Sequence, residues 1–564
     1  MKIKTKKMNT YKMNSRISYN GRKFFLLLVV ACSLLTSLPL EAAERDNLVN
    51  VKWLENNLKN TGVIILDASP SQIYAAKHIP GAISVDIYSW YGLRELPLAD
   101  MEKIYQAWGI STGKKVVMYD QGGTILATRL FYSLYYHGFP AKDLLILDGG
   151  LARWEEAGLP VTKEIKPVTE KGSFTIRKTY EDVKSELPEF ITASGDQVNN
   201  VLLDALSPDW HFGEVVPFDR AGHIPNAIMI PAVDFFNPDK TFKSTEEIKR
   251  MLAYFDIRPD QTIYTHCGGG VAASVPFFAL KFLAGFPKVK LYKESQLGWL
   301  SDERELPFWT YDAPLSMRKT GWLQFWGGRM IRMYGGTKVN IVDIHSADEF
   351  YKGHIPYSLN IPIDVFKRNI TDPGKLAGIM GQSGVNSSLE TVIVSEGLLN
   401  RDAALAFLMF ANLGQKKVSL FMDSMDKWNR PGFTLTKDST VVGTKKIPDP
   451  LSIPLMIYPG DIRRDVLIAD LSATSGLFPR IMIASGKDMP AKAQDGKVIH
   501  IAYTDLLNSD GTPKAAKDIW KILSGAGVTR YAELVCFSDD PGESAVNYFI
   551  LKLMGFPDVK VLVN

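Results

Sequence analysis

The chain has 564 residues, of which 46% are hydrophobic and 22% are charged, and its formal net charge is +4. This length exceeds what one hydrophobic core supports and indicates about four domains of ordinary size, in a composition typical of globular proteins. Three cysteines exclude a disulfide framework and paired-cysteine metal sites, and no basic stripe with interleaved aromatic residues points to a nucleic-acid partner.

The first 43 residues differ from the rest of the chain. Eight basic residues lead into an apolar run at 24–40, and no acidic residue precedes Glu41. This layout predicts a signal peptide spanning residues 1–43 and therefore a periplasmic or otherwise exported protein. The sequence VVAC at 29–32 leaves open a membrane-anchored lipoprotein held through Cys32. Removing the segment changes the formal net charge from +4 to −3, so the basic balance belongs to the signal.

The remaining chain opens with short apolar strands that alternate with helices. VIILDAS at 63–69 is followed by KHIPGAISV at 77–85, a strand at 115–119 that leads to Asp120, and a strand at 144–147 before DGGLARW. Strands alternating with helices predict α/β modules, each a small parallel sheet with helices on both faces.

The same order recurs three more times. The second copy has VLLDA at 201–205, AGHIPNA at 221–227 and TIYTHCGGG at 262–270, and the third has the corresponding segments at 339–343, 353–356 and 391–397. The fourth copy lacks GHIP. In it VLIADL at 466–471 takes the place of the first buried strand, followed by VIHIAYTDLL at 498–507 and ELVCFSDD at 533–540. Such internal periodicity predicts four tandem modules.

A constant interval supports the register of the repeats. Asp120, Cys267 and Glu396 each lie 18 residues before a glycine that ends the following helix, at Gly138, Gly285 and Gly414. These three residues therefore occupy one loop position. In the fourth copy Ser538 or Phe537 takes that position, and Cys536 is expected to be a buried core thiol within the strand.

The loop after Cys267 is suited to a reactive thiolate. In YTHCGGGVAAS at 264–274 three glycines allow successive backbone N–H groups to surround the sulfur as an anion-binding nest. The helix that follows adds its positive end to the same side, and both effects favour the thiolate, which is the nucleophilic form. A buried, inert thiol beside a simple glycine turn is the alternative interpretation.

These motifs together resemble the rhodanese (sulfurtransferase) module: Asp at a strand end, then Gly-His-Ile-Pro, a strand ending in Cys before a small loop, and Trp after the last strand. The resemblance covers residues from about 46 to the C-terminus. It divides the chain into an inactive domain 1 (46–165), a catalytic domain 2 (176–315), an inactive domain 3 (325–437) and a degenerate domain 4 (445–564). Domains 1 and 2 together resemble the two-domain thiosulfate and 3-mercaptopyruvate sulfurtransferases.

The resemblance implies that Cys267 takes a sulfur atom from a small anionic donor as a persulfide and passes it to a thiol or cyanide. No metal or organic cofactor is implied. The loop residues whose N–H groups would stabilise the thiolate and the persulfide are Gly268, Gly269, Gly270, Val271 and Ala272. Glycine directly after the cysteine is typical of the mercaptopyruvate type.

The arginines that bind the donor in the family are replaced here by Leu206 and His211. We therefore expect Arg220 and His211 to provide positive charge for the donor. Asp120 and Glu396 cannot accept a sulfur atom, and their carboxylates are expected to fit poorly in an anion cradle.

Two further groups of residues have structural interpretations. The histidines of the three His-Ile-Pro turns, which lie in Lys-His-Ile-Pro in the first copy and in Gly-His-Ile-Pro in the second and third, are expected to fix a turn rather than to catalyse: His78, His223 and His354. The aromatic patch Trp322, Phe325 and Trp326 lies between the two pairs of domains and is expected to seat one half of the molecule on the other, with a partner or membrane contact as the alternative use.

Two rival functions are considered. A cysteine phosphatase also begins its anion loop with His-Cys, but it requires an arginine six residues after the cysteine, where this chain has Ala273. The second rival is a non-catalytic scaffold of the cell envelope, which would use domains 3 and 4 to bind a protein partner.

Overall fold

A computed structural model describes residues 47–88, 96–165, 168, 170–429, 433–438, 440, 442–443, 453–454, 458, 461–463, 465–472, 476–488 and 497–563. The predicted signal peptide and the alternative lipidation site at Cys32 lie outside these residues. Across the described ranges no helix combines the length and the apolar character needed to cross a bilayer.

The first module contains a parallel sheet in the order β1-β5-β4-β2-β3. Its strands are β1 (Leu48–Val49), β2 (Val63–Asp67), β3 (Ile83–Ser84), β4 (Lys115–Tyr119) and β5 (Leu144–Leu147). Its helices are α1 (Val51–Asn57), α2 (Ser71–Ala76), α3 (Leu98–Ala107), α4 (Leu126–Tyr136) and α5 (Gly150–Glu156). The central strands are almost wholly apolar and buried, as expected for a sheet covered on both faces.

The second module repeats this order as β6-β10-β9-β7-β8. Its strands are β6 (Lys184–Ser185), β7 (Asn200–Asp204), β8 (Ala227–Met229), β9 (Thr262–His266) and β10 (Val289–Tyr292). Its helices are α6 (Leu187–Ser194), α7 (Pro208–His211), α8 (Thr245–Tyr254), α9 (Ser274–Phe278), which continues as a π-helical turn over Ala279–Leu283, and α10 (Ser295–Leu300). A reciprocal capping box between Ser244 and Glu247 fixes the start of α8.

The third module has the order β11-β15-β14-β12-β13. Its strands are β11 (Met317–Arg318), β12 (Val339–Asp343), β13 (Ser358–Asn360), β14 (Glu390–Val394) and β15 (Val418–Phe421). Its helices are α11 (Thr320–Gly327), α12 (Arg329–Met333), α13 (Ala347–Lys352), α14 (Ile363–Arg368), α15 (Pro373–Gln382), α16 (Arg401–Asn412) and α17 (Met425–Trp428). Because β11 pairs with β15, this sheet begins ahead of the predicted domain start at residue 325.

A two-stranded pair, β16 (Val442–Gly443) and β17 (Ile453–Pro454), precedes the fourth module. The fourth sheet has the order β18-β22-β21-β19-β20. Its strands are β18 (Leu467–Ile468), β19 (Arg480–Ala484), β20 (Lys497–His500), β21 (Glu533–Phe537) and β22 (Val559–Leu562), and its helices are α18 (Ala516–Gly525) and α19 (Pro541–Leu553).

The four sheets share one connectivity, which confirms the predicted class of four tandem α/β modules. The predicted alignment of the fourth copy was wrong in one respect. Within VLIADL only Leu467–Ile468 is a strand, and it forms the sheet edge against β22. The position of the first buried strand belongs to β19, which pairs with β21.

The modules associate in two pairs through the helix that follows each loop position. Helix α4 packs on α9, where Thr128 Oγ1 lies 2.8 Å from Ser274 Oγ and the rings of Phe131 and Phe278 meet edge to face at 4.9 Å. Helix α16 packs on α19 in the same manner, with Phe407 and Phe549 also at 4.9 Å. Each pair therefore shares one apolar core.

The two pairs are joined through modules 2 and 4. Tyr254 Oη donates a hydrogen bond to the carbonyl oxygen of Ala532 at 2.8 Å, and Tyr531 Oη donates to Asp234 Oδ2 at 2.8 Å. Among the described contacts, the predicted aromatic patch takes no part in this junction. Phe325 is 63% exposed, and Trp322 and Trp326 pack within module 3. The expectation that this patch seats one half of the molecule on the other was wrong.

Candidate active site

Cys267 follows the last residue of β9 and is 3% exposed. The register pairs His266 with Asp204 at the end of β7, so the backbone leaves the sheet at Cys267. The N–H of Gly270 donates to Cys267 Sγ at 3.1 Å. A hydrogen bond from a backbone N–H to sulfur stabilises negative charge on it. Of the five predicted loop residues, Gly270 is the one with a described hydrogen bond to the sulfur, so a ring of N–H groups from Gly268, Gly269, Val271 and Ala272 stays a prediction.

Gly270 is required by its backbone. Its φ is +83°, and a Cβ atom there would lie 2.3 Å from the carbonyl oxygen of Lys293. A side chain at this position is therefore excluded both by conformation and by space. The tight turn it permits brings the Gly270 N–H to the sulfur.

Two residues after β10, Ser295 and Gln296, form hydrogen bonds with the backbone of Cys267. Ser295 Oγ accepts a hydrogen bond from the N–H of Cys267 at 3.0 Å, lies 4.0 Å from Cys267 Sγ, and donates to the carbonyl oxygen of Tyr292 at 2.8 Å. The N–H of Gln296 donates to the Cys267 carbonyl oxygen at 3.0 Å. Ser295 thus positions the nucleophile.

Ser295 holds this place at the cost of backbone strain. Its φ is +53°, whereas module 1 has Gly150 at the corresponding place with φ of +55°. A non-glycine residue in the left-handed region is unfavourable by roughly 1–3 kcal/mol, and such strain is often found at functional sites. Ser295 was missed by the sequence analysis, although aligning Lys293-Glu294-Ser295 with Asp148-Gly149-Gly150 would have exposed it.

Apolar side chains wall the loop. A Cβ atom on Gly268 would lie 3.2 Å from Trp210 and 3.7 Å from Phe218, so a larger residue does not fit there without displacing a ring. Tyr88, from module 1, has its pKa raised by burial and by negative charge at Cys267.

The structure does not bring Arg220 to the cysteine loop through any described contact. Its Nη1 donates to the carbonyl oxygen of Leu306 at 2.8 Å, its guanidinium lies 5.8 Å from the ring centre of Phe308, and about a third of its side chain is exposed. Donor binding by Arg220 stays a prediction.

His211 lies in a buried ion network rather than at an open surface. Its Nδ1 lies 2.8 Å from Asp204 Oδ2, its Nε2 lies 2.7 Å from Asp312 Oδ1, and the residue has no exposed surface. Burial opposes a charge on His211, but Asp312 and Asp204 outweigh burial and raise its pKa. Because both ring nitrogens are engaged within the protein, neither is available to a donor, and we leave His211 out of the proposed donor site.

His223 is stacked on His211 with ring centres 3.6 Å apart and planes 2° from parallel. Burial and the charge on His211 lower its pKa to about 3, so His211 carries the proton and His223 is neutral. Together with Asp312, these are the one group of three in the described ranges whose ligand atoms lie within 4.8 Å of one another. Parallel stacked rings direct their lone pairs into separate planes, which does not match the convergence of a tetrahedral metal site.

The histidines of the other two His-Ile-Pro turns confirm a structural role. His78 Nδ1 forms a hydrogen bond with the Tyr74 carbonyl oxygen at 2.8 Å, and its ring stacks on that of Tyr74. His354 Nδ1 forms the equivalent bond with the Phe350 carbonyl oxygen at 2.9 Å, and its ring stacks on that of Phe350. His211 therefore occupies the place of these aromatic rings in module 2.

Module 1 has the carboxylate of Asp120 where module 2 has the Cys267 thiol, and the backbone N–H groups of the module 1 loop bind that carboxylate. Asp120 is 4% exposed and accepts hydrogen bonds from the N–H groups of Gly122, Leu126 and Ala127 at 2.8–3.1 Å. The expectation that a carboxylate fits poorly there was wrong, because Asp120 itself serves as the bound anion. The adjoining cavity is about 10 Å³, which leaves no room for a ligand.

The loop position of module 3 was misassigned by one residue. Asp343 pairs with Val394, as Asp204 pairs with His266, so Ser395 corresponds to Cys267 and Glu396 follows it. The segment from the strand end to the glycine after the helix is one residue longer in module 3, so the interval of 18 residues from Glu396 arose by chance. In module 4 the same criterion selects Ser538, since Ala484 pairs with Phe537. Cys536 is fully buried, and burial raises its pKa to about 12, which confirms a core thiol.

Comparison with known proteins agrees with this geometry. The model of the rhodanese-like domain matches residues 50–157, 187–302 and 329–431, which together exceed half of the chain. The chain belongs to the rhodanese-like family. The matches end at residue 431, whereas the fourth sheet repeats the same strand order beyond it.

Its relatives carry the names of sulfurtransferases and a sulfur carrier. The chain is 32% identical over 282 residues to a probable 3-mercaptopyruvate sulfurtransferase of Pseudomonas aeruginosa, covering 46% of this chain and 96% of the relative. It is 29% identical over 272 residues to the sulfur carrier protein TtuD of Thermus thermophilus, covering 46% and 94%. The predicted resemblance to rhodanese-like sulfurtransferases is confirmed.

Two solved structures are similar over part of the chain. The 3-mercaptopyruvate sulfotransferase SseA from Escherichia coli has a TM-score of 0.40 at 25% identity, covering 44% of this chain and 98% of that one. An anaerobic ergothioneine biosynthesis enzyme from Chlorobium limicola has a TM-score of 0.42 at 24% identity, covering 47% and 70%.

Proposed function

We propose that the protein is a sulfurtransferase that carries a sulfane sulfur on Cys267. The single observation that carries the proposal is the hydrogen bond from the Gly270 N–H to Cys267 Sγ. At the corresponding loop position, module 1 has the buried carboxylate of Asp120 instead of a thiol. In the described modules, Cys267 is the thiol at a loop position, and the corresponding residues are Asp120, Ser395 and Ser538.

The proposed reaction has two displacements. The Cys267 thiolate attacks the outer sulfur of thiosulfate, the sulfur–sulfur bond breaks, and sulfite leaves with the electron pair. With 3-mercaptopyruvate the carbon–sulfur bond breaks instead, and the departing carbon takes up a proton to give pyruvate. An acceptor then attacks the terminal sulfur, which forms thiocyanate from cyanide or a persulfide from a thiol and regenerates the Cys267 thiolate.

The loop favours 3-mercaptopyruvate as the donor class. A Cβ atom on Gly268 would lie 3.2 Å from Trp210, so the basic side chain typical of thiosulfate-type loops would have to displace that ring. The N–H groups of the loop would then provide the positive potential for the persulfide, as at an oxyanion hole. The acceptor is proposed only as a thiol or cyanide.

Steady-state turnover tests this proposal. Thiocyanate formation from cyanide is measured with thiosulfate and with 3-mercaptopyruvate, for wild type, Cys267→Ser and Cys536→Ser. We expect turnover with 3-mercaptopyruvate that Cys267→Ser abolishes and Cys536→Ser retains, because Cys536 lies in the core of module 4. Equal turnover in wild type and Cys267→Ser would refute the proposal.

A non-catalytic scaffold of the cell envelope is the second candidate. It is favoured by the three modules whose loop positions hold Asp120, Ser395 and Ser538 and carry no thiol. Alkylation distinguishes the two functions, because an enzyme requires Cys267 to react with iodoacetamide near pH 7 much faster than Cys536. A scaffold has no such requirement, and equal rates for the two cysteines would favour it.

We also propose export, on the strength of the basic and apolar layout of residues 1–43. Mass determination of the N-terminus of the protein purified from its native cells tests this. A chain beginning near residue 44 supports cleavage of a signal peptide, a lipid-modified chain beginning at Cys32 supports the lipoprotein, and an intact Met1 argues against both.

A further inference from the structure

The helices that open module 3 expose an unusual amount of apolar surface. Phe325, Met330, Met333 and Tyr334 are 63%, 74%, 57% and 84% exposed, and all four lie within ten consecutive residues. We refer to these four residues as the α11–α12 patch. Apolar surface of this density on one short segment marks an interaction site.

The patch is exposed because the opposite side of α11 is committed to the sheet. Leu323 is fully buried, and a Cβ atom on Gly327 would lie 2.9 Å from Ile341. Trp326 lies beneath the Lys338 ammonium group, which is 4.0 Å from the ring centre. With its inner side occupied, the helix presents Phe325 outward.

The charged residues of the segment itself are all basic, although Glu390 and Asp423 contact its first residues from neighbouring elements. No acidic residue occurs between Asp312 and Asp343, while the intervening segment contains five basic residues, Arg318, Lys319, Arg329, Arg332 and Lys338. Arg318 pairs with Glu390, and Arg332 donates to the carbonyl oxygen of Gly327, so these two are engaged within the module. Lys319, Arg329 and Lys338 are exposed.

We propose that the α11–α12 patch docks the protein on an anionic lipid bilayer. Exposed Phe, Met and Tyr side chains flanked by Lys and Arg are the combination that inserts into the headgroup region and pairs with anionic lipid. The segment between Asp312 and Asp343 contributes no acidic side chain that an anionic surface would repel.

Hydroxyl-radical footprinting read by mass spectrometry tests this on the full-length chain. Oxidation of Phe325, Met330, Met333 and Tyr334 is compared without vesicles, with phosphatidylcholine vesicles, and with vesicles containing phosphatidylglycerol. We expect anionic vesicles to slow oxidation of these four residues about threefold or more, as insertion excludes the solvent-borne radical. Tyr351, which is 54% exposed on the same module, is the internal control and should not change.

A charge reversal identifies the electrostatic part. Arg329→Glu with Lys338→Glu should weaken protection by anionic vesicles about tenfold in lipid concentration, because each basic residue near the surface adds to the attraction. Lys59→Glu with Lys163→Glu changes the net charge equally at exposed positions elsewhere and should leave protection intact. The N-terminal apolar run is present in every variant, so differences between variants report the patch alone.

Two outcomes would overturn the proposal. One is equal oxidation of the four residues with and without anionic vesicles. The other is protection that is the same for phosphatidylcholine and phosphatidylglycerol vesicles and is unaffected by the charge reversal. A protein partner would give the first outcome, since vesicles alone would not cover the patch.

Discussion

Ser295 lies directly behind Cys267, where its Oγ accepts the Cys267 N–H at 3.0 Å and sits 4.0 Å from the sulfur. Its φ of +53° places a serine where module 1 has Gly150. Ser295 therefore adopts an unfavourable backbone conformation and forms a hydrogen bond with the backbone of Cys267. Substitution by alanine or by glycine separates these two effects.

Ser295→Ala should be the less stable of the two variants. It keeps the left-handed backbone and leaves the Cys267 N–H without its acceptor, which should lower the free energy of unfolding by about 1–3 kcal/mol. Ser295→Gly loses the same acceptor but relieves the strain, and its stability should lie near wild type. Both should slow turnover about tenfold. Thermal unfolding and turnover of the two variants check this, and equal stability with full turnover would contradict it.

Gly270→Ala should remove activity because it displaces the backbone of the loop. The added Cβ would lie 2.3 Å from the Lys293 carbonyl oxygen, so the loop must shift and its N–H must leave Cys267 Sγ. We expect a loss of more than tenfold in turnover and in the rate of Cys267 alkylation. Gly285→Ala is the matched control, since Gly285 has φ of +75° with nothing within 4 Å of its Cβ position. It should cost about 1 kcal/mol of stability and leave the alkylation rate unchanged.

Asp120→Ala should destabilise module 1. Three backbone N–H groups would lose a charged, buried acceptor, and we expect the free energy of unfolding to fall by about 3 kcal/mol. Asp120→Asn retains one acceptor oxygen and should lose roughly half as much. Chemical denaturation measures both. An unchanged stability of Asp120→Ala would mean that the carboxylate contributes nothing to the cradle.

His211 should make stability depend on pH. Because its pKa is raised in the folded protein, its contribution is complete below the ordinary value of about 6.5 and declines as pH rises through the folded value. His211→Phe copies the ring stacking of Phe350 in module 3 but removes the partner shared by Asp204 and Asp312, and Asp312 keeps only the more distant His223 Nε2 at 3.5 Å. We expect the variant to lose about 3 kcal/mol near pH 6 and less at higher pH. A loss that does not change between pH 6 and pH 9 would argue against a charged His211.

The repeated strand order and the place of Cys267 at a strand end before a glycine-rich loop could be predicted from sequence, because both depend on local signals. An apolar strand, a glycine-rich loop and a helix at Cys267 lie within one short segment. The strand-end Asp67, Asp204 and Asp343 marked three of the four sheets. Module 4 has Ala484 in place of the strand-end aspartate, and without that aspartate the segment VLIADL was taken for the buried strand.

What the sequence did not reveal depends on pairing across the chain. The correct loop residue of module 3, Ser395, follows from the register of Asp343 with Val394, which the spacing alone could not supply. The role of His211 depends on Asp312, which is 101 residues away and lies in the segment between modules 2 and 3. Exposure of Phe325 likewise depends on which face of α11 meets the sheet.

The most direct test of the central claim is mass spectrometry after exposure to a donor whose transferable sulfur is labelled with sulfur-34. Sulfur transfer through Cys267 predicts one added labelled sulfur, about 34 Da, on the Cys267 peptide and none on the Cys536 peptide, with the label lost again when cyanide or a thiol is added. A folded protein whose Cys267 is a free thiol and takes up no label from either thiosulfate or 3-mercaptopyruvate would contradict the account.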